Sequence, residues 1–221
     1  MMKRFLIILF LSYFATSLQA QEKLEDIDGN LYKIITIGNQ KWIAENLKVS
    51  HYKDGSSIPL EMDEDIWSKL TTGAYCVNEI NSKNYIDTYG YLYNFQAIID
   101  KRSLCPDSWH VPTASEWKIL IEYLGGSKNA GDQMKDIDSH LWNNINKEAN
   151  NNSGFSALPA GGRGRLGSVG EIGNYATWWS STSEDSAYAW HWGLHPDKAE
   201  IRFNPGHKAS GFSVRCIKDN K

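Results

Sequence analysis

Three groups of residues in this chain have the types and spacing to do chemistry. Tyr188, Trp190 and Trp192 alternate in A-Y-A-W-H-W-G-L-H. On an extended strand, positions two apart point to one face, so the three rings would stand in a row. Such a row can stack on flat sugar faces or dock a flat partner, and it serves equally well as a core wall. The second group is G-G-R-G-R, with Arg163 and Arg165 in a glycine-rich loop. Backbone N–H groups and two guanidiniums there could cradle an anion. The loop lacks G-x-x-x-x-G-K-[ST], so a nucleotide is not the expected anion. The third group is the cysteines, Cys76, Cys105 and Cys216. In an exported protein one pair oxidises and one thiol is left over. Pairing Cys105 with Cys216 would close a loop of about 110 residues, worth about 4–5 kcal/mol in the chain-entropy model. Cys76, in the alternating G-A-Y-C-V-N, reads as a buried free thiol.

Other chemistry finds less support. His191 and His195 are four apart, which would bring them together on a helix. On a strand they share a face but lie about 13 Å apart, too far for one metal. His110 sits inside a helix-entry motif and reads as structural. D-I-D-G-N resembles the start of a calcium loop, but the twelfth position from Asp26 is Ile37, not Glu, so calcium is not expected. Glu61, Asp63, Glu64 and Asp65 read as the first turn of a short helix near 63–70, where carboxylates suit the helix dipole. No G-x-S-x-G, H-E-x-x-H or glycosidase-like carboxylate pair is identifiable. No metal and no cofactor is expected.

The elements that must position these groups follow from the rest of the chain. Residues 1–20 read as a secretory signal, with Met1-Met2-Lys3-Arg4, an apolar run from Phe5 to Phe14, and Ala20 before the cleavage point. The run is too short to span a membrane, and no other stretch of about 20 apolar residues follows. Residues 21–221 are enough for one domain with a sizeable core. Losing Lys3 and Arg4 takes the net charge from −3 to −5, which argues against a nucleic-acid partner. Nine tryptophans and eleven tyrosines are either ligand platforms or the filling of an irregular core.

The central feature is C-P-D-S-W-H-V-P-T-A-S-E-W, Cys105 to Trp117. Thr113 and Glu116 form a capping box. The helix behind it ends at Gly125-Gly126, with Ile119, Leu120, Tyr123 and Leu124 as its expected apolar stripe. A second helix is expected with Leu92, Phe95, Ile98 and Ile99 on one face. Residues 24–47 read as a β-hairpin turning at Asp28-Gly29-Asn30, and 73–78 as a strand. In 127–153, a polar stretch, Met134 and Trp142 are the expected buried contacts. Residues 176–182 read as a core strand, 187–195 and 199–204 as a pair turning at Pro196-Asp197, and G-F-S-V-R-C-I-K as the closing strand.

Seven motifs in order carry a family resemblance: D-x-D-G-N-x-Y…W-x-A-E-N-L, G-A-Y-C, Y-G-Y-L-Y-N, L-C-P-D-S-W-H-V-P-T-x-x-E-W, G-F-S-A-L-P-A-G, W-W-S-S-T and G-F-S-V-R-C. Over about residues 24–218 the chain resembles the Fibrobacter succinogenes major paralogous domain, found on exported bacterial proteins. That domain in turn looks like the formylglycine-generating-enzyme (sulfatase-modifying factor) branch of the C-type-lectin-like fold. The resemblance also implies a Cys105–Cys216 bridge. The oxidising enzymes of that branch hold copper with a cysteine pair before the last strand. Here that region, from Ser186 to Asn204, contains no cysteine, and copper lacks its soft ligands. The E-P-N or Q-P-D and W-N-D motifs of calcium-dependent lectins are also absent.

The resulting expectation is an α+β, loop-rich, C-type-lectin-like domain of the sulfatase-modifying-factor type. It would have two main helices and short, mostly antiparallel strands. Its expected role is that of an exported, non-catalytic binding or surface-interaction module in the periplasm, at the cell surface or outside the cell. Its partner would be a glycan or an envelope protein. Tyr188, Trp190, Trp192, Arg163 and Arg165 are the candidate ligand contacts. The alternatives are an enzyme related to the formylglycine-generating type and a structural envelope protein.

Overall fold

The computed structural model describes residues 22–78 and 83–220. The expected leader, residues 1–20, lies outside them. Three sheets organise the chain. The first has five strands in the order β1 (Lys23–Glu25), β2 (Leu31–Ile37), β3 (Gln40–Ile43), β13 (Ile217–Lys218) and β6 (Trp109–His110). The second, also five-stranded, runs β4 (Tyr75–Cys76), β5 (Leu92–Asn94), β12 (Gly211–Phe212), β7 (Gly162–Arg163) and β8 (Val169–Gly170). The third has β9 (Ala176–Ser183) on one edge, β10 (Tyr188–Leu194) in the middle and β11 (Ile201–His207) on the other edge. All pairings between these strands are antiparallel. The described helices are α1 (Glu64–Trp67), α2 (Lys83–Tyr89), α3 (Phe95–Ile98), α4 (Ala114–Tyr123) and α5 (Ala130–Met134). No described helix is long and apolar enough to cross a membrane.

The N-terminal hairpin turns as its residues dictate. Gly29 takes φ 79°, and the Asp26 carboxylate accepts from the backbone N–H groups of Asp28 and Asn30, both at 2.9 Å. It also accepts from the Tyr32 hydroxyl at 2.7 Å. Its oxygens are thus occupied by the protein itself, as an Asx turn requires.

Helix α4 opens with the expected capping box, Thr113 accepting from the Glu116 N–H and Glu116 from the Thr113 N–H. Gly125 and Gly126 end it at φ 89° and 84°. The buried stripe differs from the expected one. Ile119 and Tyr123 are 57% and 66% exposed, while Trp117, Leu120, Ile121 and Leu124 are buried. Those four follow i, i+3, i+4, i+7, and the large Trp117 ring sets which face turns inward. The second expected helix is also corrected. Leu92 ends in a strand, and Asn94 starts α3 by accepting from the Ala97 N–H at 3.0 Å while bonding Ala74 and Thr72. That cap interrupts the helical pattern, and Ile99 is left 53% exposed. Helix α2 lies ahead of β5, where no helix was expected. Only α4 reaches ten residues, so one main helix stands where two were expected.

The closing segment is not one strand. β12 and β13 belong to different sheets, and Ser213 to Cys216 cross between them. Cys216 is bonded to Cys105, with Cα atoms 6.0 Å apart. The whole Arg215 side chain is buried at the crossing. Its guanidinium donates to the Ile43, Phe155 and Ser156 carbonyls and the Asn46 side chain, at 2.7 to 3.1 Å. It also lies 4.2 Å from the centre of the Phe155 ring. Buried Lys135 does the same between Asn146 and the turn from β10 to β11, donating to Asn146 Oδ1, Pro196 O and Lys198 O. A chain with many loops has many carbonyls without strand or helix partners, and long cationic donors satisfy several of them at once.

Two large clusters form the core. Trp42, Trp117, Phe155, Trp178 and Trp192 meet in one, and Tyr32, Tyr93, Phe95, Trp179 and Val214 in the other. Short strands leave irregular spaces, and wide rings fill them with few side chains.

His110 bridges two elements, its Nδ1 2.6 Å from Asp219 and its Nε2 2.9 Å from Glu116. Burial opposes its charge, but the Asp219 and Glu116 carboxylates outweigh burial and raise its pKa. A raised native pKa stabilises fully below the unfolded value of about 6.5 and is lost as pH rises through the native value. Urea unfolding of the wild type is therefore expected to show this contribution falling away as pH rises above the unfolded value of about 6.5. His110→Gln should flatten that fall, by less than about 1 kcal/mol because the ring is 37% exposed.

Candidate binding site

The sheet of β9, β10 and β11 carries most of the residues singled out in the sequence. Strand β10 pairs with β11 in unbroken register, Tyr188 opposite His207, Trp190 opposite Pro205 and Trp192 opposite Phe203. On the β9 side the register shifts between Ala189 and His191. The extra β9 residues turn to the mouth of α4. The Ser181 N–H donates to the Pro112 carbonyl and the Thr182 hydroxyl accepts from the Ala114 N–H. Trp192 keeps a direct β9 neighbour, Trp178, whereas Trp190 faces the bulge.

That bulge divides the aromatic row. Trp192 is 3% exposed and packs in the core, 6.2 Å from Trp117 between ring centres. Its position corrects any reading of Trp192 as a surface ligand contact. Tyr188, at the outer end, is 42% exposed. Trp190 is half-buried. It lies flat on Phe203, with centres 4.2 Å apart and planes at 16°, and Phe203 in turn rests on Trp192 at 4.6 Å. Lys118 of α4 sits 5.3 Å from the centre of the Phe203 ring. An open depression of about 570 Å³ adjoins this stack, with Ser127, Glu200, Arg202 and Asn204 around it. Phe203 was not singled out from sequence. Its signal was its place opposite Trp192 in a hairpin, legible only once the register is known.

The two arginines of the glycine loop separate. Arg163 is 1% exposed. It donates to the Glu61, Met62 and Asp63 carbonyls at 2.6 to 3.1 Å and lies 4.4 Å over the Trp67 ring. The anion role expected for Arg163 is therefore corrected: its guanidinium secures the 61–63 segment by three carbonyls. Arg165 is exposed in the turn between β7 and β8. Burial pushes the nearby Cys76 thiol up to about 11, against the Arg163 charge. Cys76 is thus an unreactive thiol at neutral pH.

The opposite face of the sheet has a second depression, of about 410 Å³. Glycines 161, 162, 164 and 170 form one wall, and Tyr175, Thr177, His191 and Phe212 are among the other lining residues. Burial lowers the His191 pKa to about 4, against a backbone contact with Asn204. The imidazole is neutral at physiological pH. His195 points along the same strand face but pairs with Asp197 and packs edge-on against Tyr175 at 4.9 Å. Among the described residues, no group of three His, Cys, Asp or Glu side chains is placed to hold a metal.

A strand-rich mixed fold with one disulfide and cation-held loops is the class of protein defined here. The Fibrobacter succinogenes major domain matches residues 35–218, most of the chain, and the chain belongs to that family. No curated protein and no solved structure matches it.

Proposed function

We propose that this chain is an exported, non-catalytic binding module of C-type-lectin-like architecture that holds a carbohydrate on the Trp190–Phe203 platform. One observation carries the reading. Of nine tryptophans, Trp42, Trp67, Trp109, Trp117, Trp142, Trp178, Trp179 and Trp192 are buried, and Trp190 is the exception. It is held flat by Phe203 beneath it, so its orientation is set before any ligand arrives. A rigid ring with one face already backed suits a sugar, whose C–H face stacks on it, and Lys118, 5.3 Å from the Phe203 ring centre, is a donor near the stack. The cysteines support a binding role over copper oxidation. Two are bonded to each other and the third is buried, which leaves no thiolate pair for copper.

The test is a glycan and polysaccharide screen on the purified protein with and without calcium. Saturable binding should be indifferent to calcium. Trp190→Ala should weaken it about tenfold or more, through lost stacking and lost apolar contact. Its circular dichroism and melting should stay near wild type, because Trp190 lies at the rim of the core. Binding unchanged in Trp190→Ala would remove the platform from consideration. A folded protein that binds no glycan would shift the reading to an envelope protein partner.

A further inference from the structure

The cleft on the opposite sheet face is built in a way the aromatic platform does not explain. His191 lines it, yet its Nδ1 is buried without a hydrogen-bond partner. A leucine or phenylalanine would fill that place without an unsatisfied polar atom. The neighbouring strand makes room for the ring. Gly206 has no positive φ to require glycine, and a Cβ there would stand 2.8 Å from His191 Nδ1 and 3.0 Å from Phe212. Phe212 also lies against the imidazole, centres 4.7 Å apart. Nδ1 is therefore shut in on the Gly206 side, and Nε2 is the nitrogen left for a ligand. Glu171, at the rim, holds a left-handed backbone at φ 67°, the kind of strain that collects at binding sites.

We propose that this glycine-walled cleft is a second binding site, for a neutral hydroxylated ring such as one monosaccharide unit, with a ligand hydroxyl donating to His191 Nε2. The chemistry around it selects that class. Arg163 borders the cleft but donates to three carbonyls, and the Glu171 carboxylate disfavours an anion. A single carboxylate beside a neutral imidazole is a poor cation site. Half-exposed Tyr175 and Phe212 offer ring faces, and Ser168, Thr177 and Ser210 offer hydroxyls. The volume of about 410 Å³ falls in the range of small-molecule sites, roughly 300–1,000 Å³.

The test is an NMR titration of the purified, histidine-labelled protein with neutral hexoses and their disaccharides, uronic acids and inorganic phosphate. A neutral sugar is expected to shift the His191 ring signals in both wild type and Trp190→Ala, which separates this site from the platform. His191→Phe should weaken that binding about tenfold or more, the effect of one lost hydrogen bond. Gly206→Ala, which crowds the ring, should also weaken it. Absence of a His191 shift with every neutral sugar overturns the proposal. So does preferential binding of phosphate or uronic acid, or wild-type affinity in His191→Phe. Should His191→Phe not fold, the wild-type titration decides.

Discussion

Arg215→Met is expected to destabilise the protein by about 3–5 kcal/mol, enough to leave much of it unfolded at moderate temperature. Methionine matches the length and apolar stem of arginine but has no donor. The change leaves the Ile43, Phe155 and Ser156 carbonyls without the N–H groups that now reach them, while Asn46 Oδ1 keeps its bond from Trp178 Nε1. Each buried acceptor left unpaired costs about 1–3 kcal/mol, and relaxation and water entry recover part of the sum. The stacked contact over Phe155 at 4.2 Å is lost as well. Arg215→Lys should recover little, since one ammonium lacks the planar fork that spans acceptors on two separated segments. Urea denaturation of the two variants beside wild type measures this. A midpoint within error of wild type for Arg215→Met would show that the crossing segment is held by packing alone.

Reduction of the Cys105–Cys216 bridge, or its replacement by a serine pair, is expected to cost about 4–5 kcal/mol. The bridge spans 111 residues, and the entropy returned to the unfolded chain grows with the logarithm of loop length. Both cysteines are fully buried, so two serine hydroxyls would add their own desolvation. The melting temperature should fall by roughly 10–20 °C for a domain of this size. Because Cys216 adjoins Arg215, the serine pair combined with Arg215→Met should be less damaging than the two effects added, both acting through the same crossing segment. Calorimetry under oxidising and reducing conditions reads the bridge directly. Equal melting in both would mean the reduced unfolded chain keeps the two ends together.

Local features were legible in the chain because their causes are local. The capping box at Thr113 and Glu116, the Asp28-Gly29-Asn30 turn and the Gly125-Gly126 stop depend on residues within four or five positions of one another. The burial of Met134 and Trp142 and the pairing of the β10 and β11 segments could also be read from pattern. The bridge between Cys105 and Cys216 is one of three possible pairings of the cysteines, and it is the one the family resemblance implied.

Features that depend on what packs across a gap were not legible. Periodicity placed Ile119 and Tyr123 on the inner face of α4, but the Trp117 ring, against Trp42 and Trp178, turned a neighbouring face inward. Alternation put Tyr188, Trp190 and Trp192 in one row. The extra residues in β9, drawn to the mouth of α4, sent Trp192 into the core and left Trp190 at its edge. Nothing near Arg163 in sequence announces the carbonyls of residues 61–63, about a hundred positions away. The sequence by itself therefore determined the caps and the turns. The tertiary structure alone decided which aromatic is a surface, which arginine is a staple and where a cleft opens, because burial is a property of both sides of a contact and the second side lies far along the chain.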